Sequence, residues 1–160
     1  MKISIIYSSK YGNTQKIAQS IQSGLGPESR LGQVEDFKID DLKDLDLLIV
    51  GSPTQGGNPT PDITNWLKNL ATNSLQNTKI ASFDTRYLAK KQNAWLKFLM
   101  SLIQYAAPKM QKLMQTKGGT SIAEPEGFAV TAQEGPLAGG ELERAKAWGQ
   151  SLLTKIQIKL

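Results

Sequence analysis

Cysteine and histidine are both absent from the 160 residues. Without thiols there is no disulfide framework, no thiol nucleophile and no Cys/His zinc site. Without imidazole there is no Ser-His-Asp triad and no histidine acid–base catalysis. A metal would be held by oxygens alone, as magnesium or calcium are. Demanding redox chemistry would therefore come from an organic cofactor. Long apolar runs are missing too, and none approaches the ~20 residues that span a bilayer. Met1 leads straight into the apolar run 3–7 without the charged and apolar regions of a signal peptide. Export is not expected, and the cytoplasm is the default compartment.

Acidic residues are in deficit. Nineteen Lys and Arg stand against fourteen Asp and Glu, a net charge of +5. Such a balance favours anionic partners, whether nucleic acid, phosphates or a membrane surface, and does not choose among them. The imbalance is concentrated: residues 85–123 carry Arg86, Lys90, Lys91, Lys97, Lys109, Lys112 and Lys117 and no acidic residue. Otherwise the chain is ordinary, with 39% hydrophobic and 21% charged residues. Its length suits one domain, 1–160, large enough for a core that needs no staples. No repeat, linker or low-complexity segment interrupts it.

Short apolar runs alternate with helical patterns. Strands are expected at 2–7, 34–39, 46–50 (with the run Leu47-Leu48-Ile49-Val50), 79–83 and 120–130, the last interrupted around Pro125. Helices are expected at 14–25, with Gly24 and Gly26 as stop signals, and at 62–71, with Ile63, Trp66, Leu67, Leu70 and Ala71 on one face. Residues 88–117 read as helical, broken near Pro108. A closing helix at 141–156 turns Leu142, Ala145, Gly149, Leu152 and Ile156 inward. Near-continuous apolar strands alternating with helices mean an α/β fold with a parallel sheet covered on both faces. Ligands of such sheets sit beyond the carboxyl ends of the strands. The loops to read for chemistry are therefore 8–13, 51–61 and 84–87.

The first loop continues into Thr14 as Ser8-Ser9-Lys10-Tyr11-Gly12-Asn13-Thr14. A helix N-terminus offers unpaired N–H groups and the positive end of the helix dipole to an anion. Ser9, Asn13 and Thr14 add donors suited to a phosphate, and Gly12 allows close backbone approach. No G-x-G-x-x-G follows this strand and no G-x-x-x-x-G-K-[ST] occurs anywhere, which argues against a dinucleotide site or an NTPase loop. An ordinary turn with Asn13 or Thr14 as the N-cap reads equally well from these residues alone.

The run Ile5-Ile6-Tyr7-Ser8-Ser9-Lys10-Tyr11-Gly12-Asn13-Thr14, followed by Ala18 and Ile21, resembles the FMN-binding signature of the flavodoxin family. Two further loops resemble that family's second and third flavin loops: Gly51-Ser52-Pro53-Thr54-Gln55-Gly56-Gly57-Asn58-Pro59 and Ser82-Phe83-Asp84-Thr85-Arg86-Tyr87. The segments 124–128, 135–137 and 140–145 look like a basic subgroup of stand-alone flavodoxin-like proteins. The resemblance implies a flavodoxin-like three-layer sandwich on a five-stranded parallel sheet of order 2-1-3-4-5. It also implies non-covalent FMN held by Ser9, Lys10, Tyr11, Gly12, Asn13, Thr14, Pro53, Thr54, Gln55, Gly56, Gly57, Asp84, Thr85, Arg86 and Tyr87.

There are departures. Flavodoxins sandwich the flavin between aromatic rings of loops two and three. Here loop two has no ring and loop three only Tyr87, while Trp66 fits the apolar face of its helix. One flavin face would then be open to a substrate or partner. The resemblance implies a peptide flip at Gly56-Gly57, and a plain glycine turn is the other reading. Asp84 and Arg86 read either as a surface pair or as a cation near the flavin edge, where positive charge would favour the anionic reduced flavin and raise its potential.

Residues 95–104 form a nearly all-apolar helical pattern. It suits a helix wedged against the core or a sister subunit, a lid beside the flavin, or an interfacial membrane helix. The sequence as a whole points to an FMN-binding redox protein. Such a protein either carries electrons to a redox partner protein or, as an oxidoreductase, reduces a hydrophobic, quinone-like acceptor. Residues 92–104 are the place for a homodimer or peripheral membrane contact, and nucleic acid is not an expected partner. The alternative is a flavodoxin-fold binding module that has lost its flavin.

Overall fold

The computed structural model describes residues 1–87 and 105–157. Five strands, β1 (Ile3–Tyr7), β2 (Arg30–Gln33), β3 (Leu47–Pro53), β4 (Lys79–Tyr87) and β5 (Thr120–Ser121), lie parallel in the order β2-β1-β3-β4-β5. A sixth, β6 (Glu126–Val130), also pairs with β4. The last two are one edge position in two pieces. β5 pairs with Lys79 and Ile80 at the start of β4, and β6 pairs with Phe83 through Tyr87 at its end. The gap between them contains Pro125, which has no N–H for the ladder.

Side-chain alternation divides the core into two layers. Ile6, Leu48, Val50 and Ile80 face α2 (Pro61–Asn69) and α3 (Ala106–Thr116). Ile5, Leu47, Ile49, Ala81, Phe83 and Phe128 face α1 (Asn13–Leu25) and α4 (Glu141–Gln157). Both faces of the central strands are thus covered, so β1 is buried at all five positions and reads as a continuous apolar run. Phe83, Phe128 and Trp148 meet edge to face at centroid distances of 6.2–6.3 Å, the arrangement that ring quadrupoles favour.

Several boundaries differ from the expectation. The second strand is Arg30–Gln33, not 34–39. Val34–Asp36 and Ile39–Leu42 are 3₁₀ turns, because Asp36 folds back to accept from the Gln33 N–H at 2.9 Å and Asp41 from the Lys38 N–H at 2.8 Å. Val34 and Phe37 still bury, but as turn residues sealing the α2 side. Ala71 is exposed beyond the end of α2.

Leu142 is 41% exposed, and Glu141 takes the inward position instead. Gly24 is not a stop. It lies within α1 where α4 crosses, and a Cβ there would sit 2.1 Å from the Lys146 carbonyl oxygen. The break expected near Pro108 falls at Tyr105, which is extended, and Pro108 lies in the first turn of α3, where no N–H is needed. The apolar segment 92–104 lies outside the described residues.

Candidate functional site

At the carboxyl ends of β1, β3, β4 and β6, above the N-terminus of α1, a cavity of about 510 Å³ opens. Its wall is built from loop one (Lys10, Tyr11, Asn13, Thr14), the end of β3 and the next residue (Pro53, Thr54), the end of β4 (Thr85, Tyr87), and the segment leaving β6 (Val130, Thr131, Ala132, Gln133). The volume is that of a small-molecule or cofactor site. The sheet's strand order reverses direction between β1 and β3, where such ligands bind.

Loop one turns on Gly12, whose φ of +84° is left-handed and would strain any residue with a Cβ. The turn lets Ser9 Oγ accept from Gly12 N–H at 3.1 Å and Gln15 N–H at 3.3 Å. The first turn of α1 is thereby aimed at the cavity. Thr14 is buried, and its hydroxyl lies 2.8 Å from that of Thr85. This bond ties loop one to β4. Asn13 donates to the Glu134 carbonyl at 3.0 Å, which ties loop one to the chain after β6. Tyr11 and Tyr87 are the exposed rings of the wall, at 42% and 56%.

Thr54 belongs to the wall and to the scaffold together. Its N–H donates to Thr85 O at 2.9 Å, and its hydroxyl accepts from Ala106 N–H at 2.9 Å. The next four residues, 55–58, close a tight turn that does not line the cavity. Gln55, Gly56 and Gly57 therefore stand apart from the wall.

The expected third loop is strand. β4 runs on through Tyr87, because β6 pairs with its second half. Strand alternation then sends Thr85 toward α1 and Asp84 and Arg86 toward α3, away from the cavity wall. Asp84 is fully buried, paired with Arg86 and accepting from Ala107 N–H at 2.8 Å. Burial pushes its carboxyl above the ordinary value, opposed by Arg86 and the Ala107 amide. Arg86 lies 3.7 Å over the Tyr105 ring.

Of the sequence-predicted residues, Lys10, Tyr11, Asn13, Thr14, Pro53, Thr54, Thr85 and Tyr87 converge on the cavity, with Ser9 and Gly12 shaping the turn behind them. Val130, Thr131, Ala132 and Gln133 were not foreseen. The signal for them was topological: β6 ends beside β4, so the chain leaving it must border the same site.

This donor set suits a phosphorylated aromatic cofactor. It combines a helix N-terminus and hydroxyls with Pro53, Val130 and two tyrosine rings in one wall. The profile of the flavodoxin domain matches residues 4–143. A flavodoxin of Clostridium saccharobutylicum is 23% identical over 163 residues, covering 98% of each chain. Among solved structures, a flavodoxin from the domain Archaea superposes with a TM-score of 0.74 at 20% identity, over 98% of this chain and 99% of that one. Oxidised flavodoxin 1 of Bacillus cereus gives a TM-score of 0.72 at 18% identity, over 100% and 99%. With four strand ends and a helix N-terminus meeting where the sequence signature lies, and the profile spanning most of the chain, the protein belongs to the flavodoxin family.

Proposed function

We propose that the cavity above α1 holds FMN and that the protein is a flavin-dependent electron carrier. Flavodoxins bind flavin, usually FMN, and transfer electrons to redox partner proteins. The observation that carries the reading is the convergence of loop one, Pro53, Thr54, Thr85 and Tyr87 on one cavity over a helix N-terminus. In this reading the first-turn amides of α1 and the hydroxyls of Ser9 and Thr14 hold the terminal phosphate. Pro53, Val130 and the rings of Tyr11 and Tyr87 cover the apolar part and keep water from it. The bonds Thr14–Thr85 and Thr54–Thr85 hold the three segments in register. The bound flavin supplies the one- or two-electron chemistry that no side chain here provides.

A second version is reduction of a hydrophobic quinone-like acceptor, for which residues 51–59 offer no ring to cover one flavin face. Turnover with a soluble quinone and a flavin reductant separates it from pure electron carriage.

The test is the visible absorption spectrum of the protein purified without added flavin. Flavin bands whose released chromophore is FMN support the reading. A colourless protein that also fails to take up added FMN overturns it in favour of a fold that has lost its flavin.

A further inference from the structure

The turn at residues 55–58 is closed by two backbone bonds, Gln55 N–H to Asn58 O at 2.9 Å and Asn58 N–H to Gln55 O at 3.0 Å. Its central residues are Gly56 at φ +54° and Gly57 at φ +78°, the pattern of a type I′ turn. With glycine on both sides, the central peptide can rotate to the type II′ arrangement at little steric cost. The backbone alone does not choose between them.

A lysine from another element does. Lys109, the fourth residue of α3, places Nζ 2.6 Å from Gly57 O and 2.7 Å from Asn58 Oδ1. An ammonium only donates, so it fixes which end of the Asn58 amide faces it. The amide nitrogen is left to point the other way, and it donates to Gly56 O at 3.1 Å. Gly56 O belongs to the peptide that would rotate. The helix carrying Lys109 is itself held to the site, since Ala106 N–H donates to Thr54 and Ala107 N–H to Asp84.

We propose that Lys109, acting through the Asn58 amide, is the positioning residue that holds the Gly56–Gly57 peptide in a single orientation. The turn directly follows Thr54 of the cavity wall. The consequence for a bound cofactor rests on the FMN reading; the consequence for the turn does not.

The experiment is NMR relaxation dispersion at the Gly57 amide of flavin-free protein, in the wild type and in Lys109→Met, Lys109→Arg, Asn58→Ala and Asn58→Asp. The wild type should show one turn conformer. Lys109→Met and Asn58→Ala should raise the second conformer several-fold, up to about tenfold, the scale of losing the neutral bond from Asn58 to Gly56 O. Asn58→Asp keeps a partner for Lys109 but cannot donate to Gly56, and should behave as Asn58→Ala. Lys109→Arg should return most of the single conformer.

In FMN-loaded protein, Asn58→Ala should shift the flavin midpoint potential without changing the formal charge. If Lys109→Met does not fold, the two Asn58 variants decide, because they leave α3 intact. Wild-type turn populations in both Asn58 variants overturn the proposal. Failure of every variant and the wild type to bind FMN overturns the flavin reading instead, while the flavin-free measurement still decides the role of Lys109.

Discussion

Arg86 lays its guanidinium against the Asp84 carboxylate as a two-pronged pair, Nε to Oδ1 at 2.5 Å and Nη2 to Oδ2 at 2.8 Å. The carboxylate is fully buried and the arginine side chain only 12% exposed. Removing one partner strands the other charge, and Asp84→Ala also orphans the Ala107 N–H at the start of α3. Either Asp84→Ala or Arg86→Ala should therefore cost about 3–5 kcal/mol of stability, read by urea unfolding. A loss below about 1 kcal/mol would show a pair already open to water.

The same pair bears on the flavin. Arg86 is absent from the cavity wall, and its charge is matched by Asp84. Replacing the two together, Asp84→Asn with Arg86→Gln, should leave the midpoint potential of bound FMN unchanged. A clear fall in the double variant would mean that uncompensated positive charge reaches the cofactor.

The outer edge of β6 is closed by side chains of α4. Glu141 accepts from Ala129 N–H at 2.6 Å and from Arg144 Nε at 3.0 Å, and Arg144 in turn donates to Gly127 O. Burial pushes the Glu141 carboxyl up, but the bonds from Arg144 and Ala129 outweigh it and the net shift is below the ordinary 4.5. A depressed native value means that the stabilisation is complete above about pH 4.5 and is lost as pH falls through that native value. Glu141→Gln should weaken the protein at pH 7 by on the order of 1 kcal/mol, since Arg144 is partly exposed. It should also flatten the acid limb of stability. Denaturant midpoints at pH 7, 5 and 3 give the comparison, and parallel acid limbs for variant and wild type would contradict it.

Helices α1 and α4 cross on two glycines. A Cβ on Gly24 would lie 2.1 Å from Lys146 O, and one on Gly149 would lie 2.4 Å from Ile21 O. Gly24→Val and Gly149→Val should each cost about 1–3 kcal/mol or more through forced separation of the helices. Gly139→Ala, where no atom of the described residues lies within 4 Å, should be neutral within about 0.5 kcal/mol. Equal melting temperatures for all three would mean that the crossing yields freely.

The α/β architecture was legible because the central strands are buried on both faces and read as apolar runs such as Leu47-Leu48-Ile49-Val50. Loop one was legible because its chemistry is contiguous in the chain. What was hidden depended on partners far away in sequence. Nothing local says that Asp84-Thr85-Arg86-Tyr87 stays extended, since that follows from pairing with β6. The edge strand β2 was displaced four residues because Val34 and Phe37 bury as turn residues and mimic a strand pattern. The inward place of Glu141 over Leu142 follows from the Ala129 N–H on the outer edge of β6, which needs an acceptor more than it needs an apolar contact.

The central claim is that loop one and α1 were built for a phosphate, and a parallel titration with FMN and riboflavin tests it most directly. Wild-type protein should bind FMN at least tenfold tighter than riboflavin, about 1.4 kcal/mol or more. Thr14→Val, which removes the hydroxyl bonded to Thr85, should lose about 1–2 kcal/mol of FMN affinity while riboflavin affinity falls less. Equal affinity for the two flavins in the wild type would contradict the account.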